Sequence, residues 1–149
     1  MLPKLNLPAY NPRLQERDGK HYIWDIIRKK SVVLTPEEWV RQHLLNLLTQ
    51  HLAFSHSLIK VESQTDYWKK VKRSDIVTYD QEGKPYFLIE CKSADQKINK
   101  KVLNQISVYN KSIDAPFIAV SNGINHFCWA KEESTYVQMQ DFPPSPTKR

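Results

Sequence analysis

The run PYFLIECK at residues 85–92 constrains the fold most, because it places a carboxylate inside an otherwise apolar stretch. The aromatic and branched residues at positions 86–89 are typical of a buried β-strand. Glu90 interrupts them, and a charged group in such a strand costs free energy unless it is paired or binds a metal ion. Alternate residues of a strand share a face, so Glu90 and Lys92 project together while Cys91 points away. The run therefore predicts a sheet with a charged pair on one face.

A second carboxylate, Asp75, begins the preceding strand-like run, DIVTY at residues 75–79. The turn DQEGK at residues 80–84 joins the two runs and predicts a β-hairpin. This hairpin brings Asp75 beside Glu90, with Lys92 on the same side. Carboxylate oxygens are ligands that Mg²⁺ prefers, and Mn²⁺ is expected as a substitute. Metal chemistry at this place, with Lys92 stabilising the transition state, is suited to phosphodiester hydrolysis.

A simpler interpretation of the same residues competes with this one. Glu90 and Lys92 can form an ordinary salt bridge at the end of a strand, and a lone pair of this kind is common. The hairpin that brings Asp75 to Glu90 favours the catalytic interpretation, but the residues alone leave both open.

The remaining pattern predicts an α/β protein whose mixed β-sheet is flanked by helices. Thr35 suits a helix N-cap, Pro36 the first helical position and Glu38 the capping box, and this helix should run to about residue 52. We also expect strands at residues 58–62, 75–79, 85–92, 116–120 and 126–130, and a second helix at 99–110. The organisation expected is an N-terminal extension at residues 1–30 with a β-hairpin around Asp18-Gly19, a main domain at 31–140 and a disordered tail at 141–149.

Composition narrows the classes of partner. The formal charge of +6 over 149 residues favours an anionic partner, and nucleic acid is the commonest one. Two cysteines, Cys91 and Cys128, are too few for a disulfide framework or a zinc site, so both are expected to be buried thiols. No stretch approaches the ~20 apolar residues of a membrane helix, and the N-terminus lacks a signal-peptide pattern. We therefore expect a cytoplasmic protein with no membrane partner.

A basic segment with an aromatic neighbour precedes Asp75. Beside a metal site it would grip phosphates, with Trp68 stacking on a base and Lys101 extending the same surface. The cations of the segment are Lys69, Lys70, Lys72 and Arg73. A solvated loop with a half-buried tryptophan is an equally good interpretation of this segment.

Taken together, these motifs resemble a nuclease superfamily. Asp75, the Glu90-Cys91-Lys92 triplet and the fifteen residues between the two carboxylates are similar to the PD-(D/E)xK pattern, although Ser74 stands where the naming proline is expected. The run QISVY at residues 105–109 looks like the Q-x-x-x-Y motif of some branches. The run LTPEEWVRQ at residues 34–42, with Asn122-Gly123 later, resembles the N-terminal nuclease domain of type I restriction enzyme R subunits.

The resemblance implies a restriction-endonuclease-like core and particular roles. Asp75, Glu90 and the Cys91 carbonyl would bind the metal ion, and Lys92 would be the catalytic lysine. Gln105 and Tyr109, four apart on one helical face, would bind phosphate or orient Lys92.

The resemblance also implies a further acidic residue from the first helix. Because Glu38 is accounted for by the capping box, Glu37 is preferred as the additional metal ligand. Acidic residues that complement the dipole of a helix N-terminus explain either position equally well.

The function expected is that of a Mg²⁺-dependent endonuclease acting on DNA, as a homodimer or with restriction-modification partner subunits. The alternative is a non-catalytic DNA-binding or assembly module that retains the nuclease fold.

Overall fold

The computed structural model describes residues 2–66 and 71–146, with the side chains of all of these except 62–66 and 71–74. Two sheets and two α-helices account for most of this part of the chain. In chain order the elements are β1 (Leu14–Arg17), β2 (Lys20–Asp25), β3 (Lys30–Val33), α1 (Pro36–Asn46), β4 (Ile59–Asp66), β5 (Val71–Tyr79), β6 (Pro85–Cys91), α2 (Val102–Ile113), β7 (Phe117–Ser121), β8 (His126–Glu132) and β9 (Thr135–Met139).

The main sheet contains β4 to β9 in chain order. Strands β6 and β7 are parallel, and the other neighbouring pairs are antiparallel. A parallel pair needs a crossover connection, and α2 supplies it between β6 and β7. The predicted α/β class and mixed sheet are therefore confirmed. Strand β9 and the extension of β5 back to Val71 were not predicted.

The two helices cover opposite faces of this sheet, which explains why β6 is apolar along most of its length. On the first face, α1 packs over a core that includes Leu44, Leu48, Phe87 and Ile89. On the second face, α2 contributes Val102 and Ile106 to a core with Val77, Leu88, Ile118, Val120 and Trp129. No helix among the described residues is long and apolar enough to span a bilayer.

Both helices begin with local signals in the sequence. Thr35 caps α1, since its Oγ1 accepts a hydrogen bond of 3.0 Å from the Glu38 N–H. Beyond Asn46 the helix continues as a π-helical segment, Leu47–His51, close to the predicted end. Helix α2 begins three residues later than predicted. The side chain of Asn99 accepts a hydrogen bond from the Lys101 N–H in the turn that precedes α2.

The N-terminal extension contains the expected hairpin, and a third strand that was not expected extends it into a three-stranded sheet. The Asp18-Gly19 turn does join β1 to β2, with positive φ at both residues, as hairpin turns of this length require. Strand β3 then pairs with β2. The turn before β3 is held by Asp25, whose Oδ1 accepts hydrogen bonds from the main chains of Ile27 and Arg28. An aspartate that caps a turn in this way left only a weak signal in the sequence.

A buried ionic cluster joins this N-terminal sheet to α1. Arg28 donates to Asp25 and to Glu38, at 2.7 and 2.8 Å. Arg41 also donates to Glu38, and Gln42 donates to both carboxylates. Because Asp25, Glu38 and Arg41 are almost fully buried, their charges depend on one another for compensation.

The predicted disorder of residues 141–149 is wrong for the part that the structure describes. Phe142 packs against the α1-side core, and Ser145 is buried. The hydroxyl of Tyr86 donates a 2.6 Å hydrogen bond to the carbonyl of Pro144. The composition of this segment did not indicate that Phe142 would pack against the core. Residues 147–149 lie outside the described residues.

The ionic cluster predicts unequal effects at two adjacent glutamates. We expect Glu38→Gln to lower the free energy of unfolding by about 3–5 kcal/mol, because it leaves the buried Arg41 without its anionic partner. Glu37→Gln on the same helical turn should change it by less than about 0.5 kcal/mol. Urea denaturation followed by circular dichroism measures both, and equal effects would contradict the structural role of Glu38.

The cluster also predicts a dependence on pH. Burial alone would raise the pKa of Asp25, but hydrogen bonds from Arg28 and Gln42 and the charge of Arg28 lower it below its usual value. A lowered pKa in the folded state stabilises the fold above the unfolded value of about 3.9, and this contribution is lost as the pH falls through the folded pKa. The stability difference between the wild type and Asp25→Asn should therefore shrink below about pH 4. Urea melts across pH test this, and a constant difference would contradict it.

Candidate active site

The register between β5 and β6 places the two predicted carboxylates directly opposite each other. Asp75 is the cross-strand partner of Glu90, Ile76 of Ile89 and Val77 of Leu88. The only irregularity in this pairing falls at the other end, between Thr78 and Tyr79. The hairpin prediction is confirmed at the positions that concern the site.

Both carboxylates belong to the face that α2 covers. Val77 and Leu88, each two residues along from a site carboxylate, pack in the α2-side core, and alternate residues of a strand share a face. Lys92 follows the last residue of β6, and its N–H donates a 2.9 Å hydrogen bond to the carbonyl of Ser121. This bond continues the pairing with β7, so Lys92 keeps the alternation and lies on the side of Glu90.

The burial of the site is uneven. Asp75 is 1% exposed, whereas Glu90 and Lys92 are half-buried. The Oε2 atom of Glu90 is shielded from solvent and accepts no hydrogen bond from the described residues. A shielded carboxylate oxygen without a donor costs free energy, and a hard cation is one way to offset that cost. The donors present therefore fit Mg²⁺ in chemical type.

Cys91 points to the opposite face, as predicted, and both cysteines are free and buried. Burial raises the pKa of the Cys91 thiol to about 12; the Arg41 charge opposes this, and Asp75, Glu38 and Glu37 add to it. The N-terminus of α1 therefore lies within electrostatic range of the end of β6. The thiol is held neutral, which leaves the main-chain carbonyl as the group that Cys91 offers to a metal ion.

The preference for Glu37 over Glu38 rested on an incomplete account of the capping box. The Glu38 side chain does not turn back to the cap. It is the buried residue of the two, bound by Arg28, Arg41 and Gln42, whereas Glu37 is half-buried and bound by none of the described residues. No group of three His, Cys, Asp or Glu side chains that could hold a metal ion is found in the described part of the chain, and the role of Glu37 as an additional ligand stays a prediction.

Helix α2 covers the face of the sheet to which both carboxylates belong, and it contains the predicted Q-x-x-x-Y pair. Tyr109 is half-buried and packs against the α2-side core, and Gln105 is exposed one turn earlier. Lys101, immediately before the helix, is also exposed. Lys101 and Gln105 belong to the lead-in and the first half of α2, and Tyr109 lies one turn further along the helix.

The side chains of the basic segment lie outside the described residues. Trp68, Lys69 and Lys70 lie outside the described residues. The backbone of Lys72 and Arg73 is part of β5, where the two residues pair with Thr65 and Gln64. Their side chains lie outside the described part. Their predicted contact with nucleic acid stays a prediction.

The pairing of β4 with β5 adds a feature that was not predicted from the sequence. Position 62 on β4 pairs with Asp75, so Glu62, Asp75 and Glu90 occupy one row across three neighbouring strands. The side chain of Glu62 lies outside the described residues. The signal was present in the run LIKVE at residues 58–62, but only the β4–β5 register shows which residue its glutamate faces.

Comparison with known families gives one match. The family model described as the type I restriction enzyme R protein N terminus matches residues 36–143, a range that contains the whole candidate site. No curated protein and no solved structure matches the chain.

The position of Glu90 opposite Asp75 predicts that the Glu90 charge, proposed to be needed for function, lowers the stability of the fold. In buffer free of divalent cations, Glu90→Gln should raise the free energy of unfolding by about 0.2–1 kcal/mol, because it removes a charge directly opposite Asp75. Glu132→Gln, an exposed strand residue opposite Thr135, is the matched control and should have no measurable effect. Thermal unfolding measures both, and a destabilised Glu90→Gln would contradict the repulsion.

Proposed function

The chain belongs to the family of type I restriction enzyme R protein N termini, and from this membership we propose that it is a metal-dependent deoxyribonuclease. The reaction proposed is hydrolysis of phosphodiester bonds within DNA. The fold proposed for the main sheet and its two helices is the restriction-endonuclease-like core.

One observation carries the proposal. Asp75 and Glu90 lie opposite each other on neighbouring strands, Lys92 follows on the same face, and Glu90 keeps a shielded oxygen that no described residue satisfies. A structural salt bridge between Glu90 and Lys92 would pair both groups, yet no such bond is present among the described residues. Because Glu90 and Lys92 do not pair with each other, their charged groups are available to bind a ligand.

The metal proposed is Mg²⁺, with Mn²⁺ as a substitute, and its ligands are Asp75, Glu90 and the carbonyl of Cys91. When bound, it supplies Lewis-acid stabilisation of the phosphate charge and increases the acidity of a water molecule. Asp75 is immobilised by burial, so it offers its carboxylate in one position. The negative charges of the two carboxylates would make this site favour a cation.

Lys92 has the electrostatic role. Because Lys92 follows Glu90 by two residues, its ammonium group would lie on the face of the carboxylates and stabilise negative charge that builds on the phosphate oxygens. The hydrogen bond from its N–H to Ser121 fixes the start of its side chain to the parallel pair β6–β7. Gln105 and Tyr109 would bind the neighbouring phosphate or orient Lys92 from α2.

DNA is the substrate proposed because the chain carries a net charge of +6 and belongs to a restriction enzyme family. The cations expected to contribute near the site are Lys69, Lys70, Lys72, Arg73 and Lys101, with Trp68 stacking on a base. Nucleases that cut both strands often use two active sites, so a homodimer or restriction-modification partner subunits are also proposed.

The proposal predicts that Mg²⁺-dependent nicking of supercoiled plasmid falls about 100–1,000-fold in Lys92→Ala, the range found when a transition-state donor is removed. Lys84→Ala, at the exposed turn between β5 and β6, is the matched control and should cleave as the wild type does. In calorimetry Mn²⁺ should bind the wild type and raise its melting temperature, and Glu90→Gln should lose both effects.

Two results would reject the proposal. The first is cleavage that survives in Lys92→Ala after the protein is repurified. The second is absence of Mn²⁺ binding together with intact DNA binding, which would support the alternative of a non-catalytic DNA-binding or assembly module.

A further inference from the structure

The two faces of strand β2 differ in burial. Ile23 and Asp25 are fully buried, and Gln42 of α1 donates a hydrogen bond to Asp25. The alternate residues of β2 and their neighbours on β1 form the opposite surface, which we call the outer face. It consists of Arg13, Gln15, Arg17, Lys20, Tyr22 and Trp24. This sheet precedes residues 36–143, so the family match does not account for it.

Two arginines of the outer face are stacked on aromatic rings. The guanidinium carbon of Arg13 lies 4.8 Å from the centroid of Trp24, and that of Arg17 lies 4.6 Å from the centroid of Tyr22. Both rings are half-buried, and both arginines are exposed. Stacking restricts the guanidinium groups, so less rotamer entropy is lost when they bind a ligand.

The stacked guanidinium groups keep their donors available. No described residue forms a hydrogen bond or ion pair with the side chain of Arg13 or Arg17, and each guanidinium carries five N–H donors. Arg28 and Arg41 differ from them, because both donate to a carboxylate in the ionic cluster. The outer-face arginines are thus exposed, oriented and unpaired among the described residues.

The charge of the outer face has one sign. Its three cations are Arg13, Arg17 and Lys20, and the acidic residues of the same strands, Glu16 and Asp25, alternate onto the opposite face. Four residues of extended strand separate Arg13 from Arg17, a distance of roughly 13 Å. One strand of DNA carries a phosphate about every 3.4 Å along the helix axis, so this distance covers several phosphates.

We propose that the outer face of the N-terminal sheet binds the phosphate backbone of DNA, with Arg13 and Arg17 as the two principal contacts. The choice of DNA among polyanions rests on the proposed function; the surface itself follows from the stacking and the charge. Bound there, DNA is held by a sheet that the buried cluster of Arg28 and Glu38 joins to α1. The N-terminal sheet is then a substrate-holding module of the nuclease.

The test measures binding without cleavage, by fluorescence anisotropy of a labelled duplex in EDTA over a range of KCl concentrations. Arg13→Gln/Arg17→Gln should weaken binding about tenfold or more, as expected when two charge-assisted hydrogen-bond donors are removed. The slope of log affinity against log salt should fall by about 1.8, or about 0.9 for each phosphate that is no longer neutralised. Gln15→Glu, which adds a negative charge between the arginines and keeps both stacks, should weaken binding in the same direction.

Lys84→Gln/Lys111→Gln is the matched control, because it removes the same charge from two exposed positions outside the N-terminal sheet. Equal loss of affinity in both double variants would overturn the proposal in favour of net charge, as would unchanged binding in Gln15→Glu or a wild type that binds no duplex. An equal loss of affinity for polyglutamate would assign the face to acidic proteins instead. Because no step depends on Mg²⁺, failure here is distinct from failure of the nuclease proposal, which the plasmid assay detects.

Discussion

The pairing register of β5 with β6 is the constraint on which the rest of the site depends. Side chains in a strand alternate, so a slip of β5 by one residue against β6 would move Asp75 from the α2 face to the α1 face and separate it from Glu90. It would also bring Ile76 out of the α1-side core. Apolar residues are needed at alternate positions on both faces, and both cores therefore resist such a slip. The energy that holds the carboxylates together comes from hydrophobic burial elsewhere in the same strands.

Two glutamates with carboxylate oxygens shielded from solvent differ in the hydrogen bonds that they accept. The Glu38 carboxylate accepts hydrogen bonds from Arg28, Arg41 and Gln42, so its charge is compensated inside the fold. Glu90 keeps a shielded oxygen for which no described residue provides a donor. A compensated charge contributes to structural specificity, whereas an uncompensated one costs stability unless a ligand arrives. This contrast separates a structural carboxylate from a candidate ligand more clearly than position on the helix or strand does.

The buried cluster also connects parts of the molecule that are distant in the chain. Asp25 and Arg28 belong to the N-terminal sheet, and Glu38 begins α1, whose charges reach Cys91 at the end of β6. Leu5 adds a second attachment, because it packs in the α1-side core against Gly123, where a β-carbon would come within 2.8 Å of its side chain. The N-terminal residues are therefore part of the packing of the domain. The sheet they form is anchored on one face and presents its cations on the other.

The sequence by itself determined the α/β class, the cap of α1, the β5–β6 hairpin and the pairing of Asp75 with Glu90. These depend on local turns and on hydrophobic periodicity, which lie within short segments of chain. Only the tertiary structure decided that Glu38 is the buried glutamate, that a third strand completes the N-terminal sheet, and that Phe142 anchors the tail. It also decided which face carries the carboxylates, since this depends on where α1 and α2 pack. Burial and ionic pairing join residues far apart in the chain, and no pattern within a single segment records them.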